Sequence, residues 1–305
     1  MTPCSISYRN VQRRGGGLIL AAALLWSSLG VAGRFAFRAG VVPLEAAFYR
    51  AAISFACLLL LLAATNRRAL RIRPRDLGLF AAFGLLGVAA FFVVYMIAIN
   101  TSTVATAAIL LYTAPAFVIV LSALLFGETL TTPKAIAVAC AFIGCVLVGR
   151  GYDLSSLRLN LPGVLAGLAS GLAYALYTIF GKIALRRYTP LTTLTYALGF
   201  GAIFLGTPAL ATGVIPQAHP PSAWMALVYL ALVTTLLAQG LYLAGLRYID
   251  AGPASLLATV EPVTAAFLGY IVLGERLEEL QIAGGVLVVG AVMLARARTG
   301  PRSGS

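Results

Sequence analysis

The chain has 305 residues, of which 61% are hydrophobic and only 10% are charged, and its formal net charge is +13. Soluble domains carry about 25% charged residues, so this composition predicts an all-α integral membrane protein and excludes an ordinary soluble enzyme. Most basic residues lie between apolar runs, where they set topology and meet lipid headgroups, so we expect membrane lipids and no nucleic acid as partners.

A polar segment, 1–16, opens the chain, and we predict it to be cytoplasmic. The apolar run that follows it is too long for a secretory signal, and more runs come after it, which predicts an uncleaved helix. Several runs reach the roughly 20 residues needed to cross a bilayer core of about 30 Å. A small polar tail, 297–305, ends the chain. The ten predicted spans are 17–37, 44–64, 76–98, 103–126, 132–149, 160–181, 190–212, 222–245, 252–273 and 279–296.

The basic residues predict how these spans are oriented. With the N-terminus inside, sixteen Arg and Lys residues fall in cytoplasmic segments and five fall in outer segments. Because positively charged loops stay in the cytoplasm, both termini are predicted to be cytoplasmic. Arg50 lies inside the second span, and we expect it to extend to the outer headgroups, although it would also fit an outward vestibule.

Two stretches that lie 147 residues apart, 95–128 and 242–275, share one layout. Each begins with a tyrosine, carries a proline in the middle of a long apolar run and ends in Gly-Glu. The chain is therefore predicted to hold two copies of one module, 17–149 and 160–296. Five spans per copy is an odd number, so the second copy would be inverted in the membrane. The matching residues are Tyr95 and Tyr242, Pro115 and Pro262, and Glu128 and Glu275.

Glu261 is the only carboxylate deep inside a predicted span. A charge is costly there, which makes the residue a candidate for function. It would couple transport to protons or bind a substrate amine. The structural alternative is a protonated acid that bonds to a neighbouring helix or to carbonyls freed by Pro262. The repeat places Ala114 at the equivalent position, so any role of the acid would be asymmetric.

Pro115 and Pro262 lie in the middle of their spans, where a proline removes a backbone hydrogen bond and kinks the helix. A matched pair of interrupted helices in two inverted halves points to a central site, and we predict kinks and gating at these positions. Glu128, at the end of the fourth span, and Asp250, before the ninth, are interpreted as residues that close helix ends.

Four aromatic residues lie too deep in their spans for the aromatic belts at the membrane surface. They either pack between helices, with each polar group bonded, or line a cavity for an organic substrate. Tyr95 and Tyr242 lie nearer to span ends and Gln239 adds an amide. We include these three in the predicted cavity, although a belt position and an interhelical hydrogen bond are the alternatives. The four deep residues are Trp26, Tyr112, Tyr174 and Tyr177.

His219 is the only histidine, and the four cysteines have no metal-ligand spacing. Serine–histidine catalysis inside the membrane and a multi-histidine metal site are therefore excluded. The sequence also has no P-loop and no dinucleotide-binding fingerprint, so we expect no cofactor, no metal and no ATP-driven transport by this chain alone.

The ordered set of ten spans, Trp26, Pro115, Glu261-Pro262 and two Gly-Glu ends resembles the drug/metabolite transporter (DMT) superfamily, EamA type, over 17–296. Within it the chain is similar to the YddG-type amino-acid exporters. The resemblance implies ten transmembrane helices in two inverted five-helix repeats that form a basket. Spans 1, 3, 4, 6, 8 and 9 would line a central cavity, and spans 5 and 10 would pack outside it.

The sequence thus predicts a secondary transporter of a bacterial inner membrane, rather than an enzyme. It would export small organic metabolites, with amino acids, including aromatic ones, as the favoured substrates, by alternating access around a midplane cavity. The oligomeric state is left open. Other readings also stay open: an exporter of cationic drugs or nucleosides, a lipid-modifying enzyme, and a membrane scaffold.

Overall fold

The computed structural model describes residues 3–101, 104–154, 160–273 and 277–297. Within these ranges the chain is helical and has no strand. Eight segments are long and apolar enough to cross a membrane, and two shorter apolar helices complete a set of ten. We number them span 1 to span 10 in chain order. They are Val11–Arg38, Pro43–Thr65, Pro74–Tyr95, Thr106–Phe126, Thr132–Val148, Leu161–Ala184, Pro190–Ala211, Pro221–Leu246, Ala251–Leu268 and Glu279–Leu294.

The predicted all-α membrane architecture is confirmed, and spans 5 and 10 are the two short helices. Proline lies in the first turn of several spans, including Pro43 of span 2 and Pro190 of span 7. Its fixed φ suits the first helical turn, where the missing N–H leaves no bond unmade. Gly127 ends span 4 with a φ of 66°, a left-handed conformation that glycine adopts without strain.

Half of the spans are continuous and half are interrupted. Spans 2, 5, 6, 7 and 10 are the continuous helices Pro43–Thr65, Thr132–Val148, Leu161–Ala184, Pro190–Ala211 and Glu279–Ala297. Spans 1, 4 and 9 each consist of two helices. These are Pro3–Trp26 with Leu29–Arg38 in span 1, Val104–Leu111 with Ala114–Phe126 in span 4, and Ala251–Ala258 with Val260–Leu273 in span 9. Spans 3 and 8 each have a π-helical segment between two α-helices. In span 3 the π-helix Phe83–Ala89 lies between Leu77–Ala82 and Ala90–Thr101, and in span 8 the π-helix Leu230–Leu237 lies between Pro221–Tyr229 and Ala238–Leu246. The 3₁₀ turn Arg67–Leu70 precedes span 3, and a second 3₁₀ turn, Pro74–Asp76, forms its start.

Four of the five interruptions, those of spans 3, 4, 8 and 9, recur at matching positions in the two halves, whereas the break in span 1 has no counterpart in the continuous span 6. The π-helical segments begin at Phe83 and at Leu230, which are 147 residues apart. The breaks in spans 4 and 9 include Tyr112 and Thr259, and these residues have the same separation. This is the offset of the sequence repeat, so these four interruptions belong to the repeated module. Isolated π-turns inside helices are frequent at functional sites.

The packing of the spans has the same symmetry. Span 3 packs against spans 6 and 7, and the corresponding span 8 packs against spans 1 and 2. Span 4 contacts span 6 as span 9 contacts span 1. Span 2 packs on span 7, and spans 5 and 10 pack mainly on each other. Exchanging the two halves therefore preserves the contacts. The main core cluster draws its buried residues from spans 1 to 4 and 6 to 10.

Candidate functional site

Aromatic side chains from four spans meet in the core. The ring of Trp26 in span 1 lies 5.3 Å from that of Tyr242 in span 8 and 6.2 Å from that of Tyr174 in span 6, measured between centroids. Tyr174 also contacts Phe91 of span 3, at 6.0 Å. Such edge-on and tilted pairs stabilise a packed aromatic group. We call the following set the aromatic cluster: Trp26, Phe91, Tyr95, Tyr174, Tyr177 and Tyr242.

The structure thus brings together five of the aromatic residues selected from the sequence. Tyr242 is completely buried, so its alternative position in a surface belt is wrong. Tyr95 reaches the cluster through Phe91, and their rings stack at 6.0 Å. Phe91 was missed by the sequence analysis. It precedes Tyr95 by four residues and so shares its helix face, which is the signal that would have found it.

Some buried polar atoms in this region have hydrogen-bond partners and others do not. The hydroxyls of Thr178 and Tyr242 share a hydrogen bond of 2.8 Å. Tyr177 Oη and Gln239 Oε1 are buried and have no hydrogen-bond partner among the described residues. Leaving a buried polar atom unpaired costs about 1–3 kcal/mol, so these two atoms are suited to a polar ligand or to water.

Glu261 lies in the first turn of the second helix of span 9, two residues after the break at Thr259. Within the described part of the chain, its carboxylate has no hydrogen bond and no ion pair, so the predicted bond to a neighbouring helix is not formed there. The helix that carries it, Val260–Leu273, packs against spans 1, 5 and 10. The electrostatic influence of the carboxylate extends to side chains of spans 2, 3, 4 and 6, which are Arg50, Tyr95, Tyr112 and Tyr174.

Several of these side chains are only partly buried. Glu261, Tyr95, Tyr112 and Tyr174 each keep some accessible surface, although the hydroxyl oxygen of Tyr174 is itself buried. Tyr112 makes no ring contact with the aromatic cluster and reaches this region from the break in span 4.

Arg50 is a second charged group inside a span. It is only 8% exposed, so the expectation that it extends to the headgroups is wrong. Its Nε donates to Thr235 Oγ1 at 2.9 Å, and its guanidinium lies 4.7 Å from the ring centroid of Phe92. A cation over an aromatic face is stabilised by the ring quadrupole. Its position inside a span was the available signal, but sequence alone does not show which face of span 2 is buried.

Pro115 and Pro262 both lie in the first turn of the second helix of their spans. The first helix of each span ends four residues before its proline, at Leu111 and at Ala258, because the proline ring clashes with the carbonyl of that residue and has no N–H to bond it. In a first turn the proline leaves no hydrogen bond unmade. Each proline therefore marks an interruption of its span, and gating by these interruptions remains a prediction.

Glu128 links the end of span 4 to the start of span 9. Its Oε1 accepts a hydrogen bond from the backbone N–H of Ala251 at 3.0 Å, so it closes the N-terminus of span 9. Asp250 stands at the N-cap position but makes no side-chain cap bond. Burial, and then the charge of Asp250, raise the pKa of Glu128. Its repeat partner Glu275 lies outside the described residues.

Known families agree with this architecture. The model of the EamA-like transporter family matches the chain over residues 13–150 and again over 161–297. The chain belongs to this family. The resemblance inferred from the sequence is therefore confirmed, and each match covers five spans of this EamA-like transporter.

Individual relatives carry related names. An uncharacterized transporter of Archaeoglobus fulgidus is 32% identical over 215 residues, which is 70% of this chain and 74% of the relative. A probable terminal-alkyne amino-acid exporter of Streptantibioticus cattleyicolor is 30% identical over 237 residues, covering 75% and 76%. One crystal structure of a protein that is 21% identical superposes with a TM-score of 0.78, covering 92% of this chain and 96% of the other. This last likeness supports the shared fold alone.

Proposed function

We propose that this EamA-like transporter exports small organic amphiphiles, with amino acids as the favoured class, across a bacterial inner membrane. The observation that carries the proposal is the carboxylate of Glu261, which lies inside a span, keeps some accessible surface and has no hydrogen bond or ion pair among the described residues. Aromatic walls suit the apolar part of such a substrate, and the carboxylate suits its cationic part or a proton. The name of the Streptantibioticus relative gives weak further support for amino acids.

Alternating access is the proposed mechanism. The two modules, 17–149 and 160–296, would be inverted repeats that rock against each other around the interior site. The matched breaks in spans 4 and 9 and the π-helical segments of spans 3 and 8 support this mechanism, since an interrupted helix bends more easily than a continuous one. The excess of basic residues on one side supports cytoplasmic termini.

Counterflow in proteoliposomes tests the proposal. Purified protein is reconstituted into vesicles that are loaded with one unlabelled compound, and the entry of a labelled trace of the same compound is followed. We expect accumulation with some amino acids and none in protein-free vesicles. If folded protein accumulates no amino acid, the amino-acid proposal is wrong. Accumulation of cationic drugs or nucleosides would then identify the alternative substrates, and none at all would favour an enzyme or a scaffold.

A further inference from the structure

We propose that Arg50 and Glu261 are the two poles of a dipolar subsite that binds the carboxylate and the ammonium group of one zwitterionic substrate. The aromatic cluster would hold the side chain of the same molecule. This inference rests on the proposed function, because it specifies the part of an amino acid that the site recognises. It adds an anion-binding residue that the sequence analysis did not select.

The guanidinium of Arg50 has hydrogen-bond donors without a partner among the described residues. A guanidinium carries five N–H groups in a planar fork that matches a carboxylate. Only Nε has a hydrogen-bond partner among the described residues, which is Thr235. The terminal nitrogens are not among the fully buried atoms without a partner, so they keep some accessible surface. This leaves the part of the fork that binds carboxylates in pairs free for a ligand.

The guanidinium is held in place by groups on spans 3 and 8. Thr235, which accepts from Arg50, itself donates to Leu230 O at 2.8 Å across the π-helical turn of span 8. One turn further along span 2, Ser54 donates to Ala231 O of the same segment at 2.7 Å. With the ring of Phe92 beneath the cation, these contacts fix its direction before any ligand arrives.

Glu261 is complementary to Arg50 but does not touch it. The two charges interact, yet no ion pair within 4.0 Å joins them. Two opposite charges buried in a membrane protein would ordinarily pair directly, since each alone is costly. A gap between unpaired opposite charges is the arrangement that a zwitterion fits, because each of its ends then completes one of them.

The apolar part of the site adjoins the cationic pole. Phe92, which lies under the Arg50 guanidinium, contacts Phe91 of the aromatic cluster at 5.5 Å between ring centroids. A substrate whose carboxylate binds Arg50 would therefore have aromatic surface close by. The favoured class is an α-amino acid with an apolar or aromatic side chain, because it carries both charges on one carbon.

Competition in the counterflow assay tests the subsite. Labelled phenylalanine enters phenylalanine-loaded vesicles, and three competitors are compared: phenylalanine, phenylalaninamide without the carboxylate and N-acetylphenylalanine without the ammonium group. With the wild-type protein we expect the free amino acid to compete at least roughly tenfold better than either derivative, as charged hydrogen bonds imply. Equal competition by all three would overturn the inference while the proposed function stands.

Two variants assign the poles. In Arg50→Gln, the preference for phenylalanine over its amide should fall toward one, while the preference over the N-acetyl compound persists. In Glu261→Gln, the preference for phenylalanine over the N-acetyl compound should fall toward one, while the preference over the amide persists. The control Arg38→Gln, at an exposed arginine of span 1, should keep both ratios. A purely structural Arg50 would lower uptake and leave the ratios unchanged, which would overturn the inference.

Arg50→Lys covers the case in which the glutamine variant fails to fold. It keeps the charge but loses the planar fork, so the preference for phenylalanine over its amide should be intermediate. An unchanged preference would overturn the inference. If the wild-type protein shows no counterflow of phenylalanine or of any other amino acid, the proposed function is wrong. The absence of counterflow alone shows this, without any comparison of competitors.

Discussion

Gly284→Ala should destabilise the contact between spans 5 and 10. A Cβ atom on Gly284 would lie 2.6 Å from Leu147 Cβ, 2.7 Å from Gly144 O and 2.9 Å from Val148 N. Two of these neighbours are backbone atoms, so no side chain can turn away to make room. The two helices must move apart by several tenths of an ångström. Small residues at a helix crossing allow the backbones to approach this closely.

The magnitude follows from the balance of two effects. An added methylene group in a close-packed site costs about 1–3 kcal/mol. Replacing glycine by alanine in a helix gains up to about 1 kcal/mol from propensity. Gly290 lies on the same helix, and a Cβ there has nothing within 4 Å. Gly290→Ala therefore shows the propensity gain alone, and Gly284→Ala should be less stable than this control by about 1–3 kcal/mol.

Thermal unfolding in detergent measures this difference. The Tm of Gly284→Ala should lie roughly 3 °C or more below that of Gly290→Ala, which should equal or exceed the wild-type value. Equal melting temperatures for the two variants would refute the close contact between spans 5 and 10. A fall for Gly290→Ala instead would mean that the opposite face of span 10 is the packed one.

Three further predictions concern single side chains. Glu261→Gln should abolish uptake driven by a pH gradient but retain counterflow, because an amide takes up no proton. Gradient-driven uptake by this variant at the wild-type rate would disprove proton coupling through Glu261. His219→Asn should lower the Tm, because His219 Nε2 lies 2.7 Å from the fully buried Glu45 Oε1 and losing this contact costs about 1–3 kcal/mol of folding stability. Gln217→Ala in the same loop should leave the Tm unchanged. Equal Tm shifts for the two variants would disprove the role of the His219–Glu45 pair. Burial and its hydrogen bond to Asp76 raise the pKa of Tyr188, so the stability from this tyrosine is complete below about pH 10 and is lost as the pH rises through the raised pKa. Tyr188→Phe should therefore melt below the wild type at pH 8, and the difference should narrow at pH 11; an equal difference at both pH values would contradict the bond.

The architecture was largely predictable because long apolar runs have few alternatives. A run of about 20 apolar residues must hydrogen-bond its own backbone in lipid, and a helix does so. The repeat was visible from Pro115 and Pro262 and from the offset of 147. The π-helical segments were not predictable: both Phe83–Ala89 and Leu230–Leu237 are apolar without proline and resemble any other helical stretch.

The site was predictable where a residue type is unusual in its place. Trp26, Tyr174 and Glu261 were selected because an indole, a phenol and an acid are rare deep inside a span. Phe91 was missed because phenylalanine in a span looks the same whether it faces lipid or the interior. Arg50 was expected at the headgroups, or in an outward vestibule, because a long basic side chain inside a span usually extends its charge toward the membrane surface. Its actual partners, Thr235 and Phe92, lie on other spans and are brought near only by folding.

Tryptophan fluorescence tests substrate binding at the aromatic cluster most directly, because the chain has only two tryptophans. Trp224→Phe leaves Trp26 in the cluster as the sole reporter, and Trp26→Phe leaves Trp224 at the more exposed start of span 8. Leucine, which does not fluoresce, is titrated into each variant. Binding in the cluster predicts a saturable change from Trp26 and none from Trp224. A silent Trp26 in a Trp224→Phe protein that still transports leucine, or the same response from both reporters, would contradict binding in the cluster.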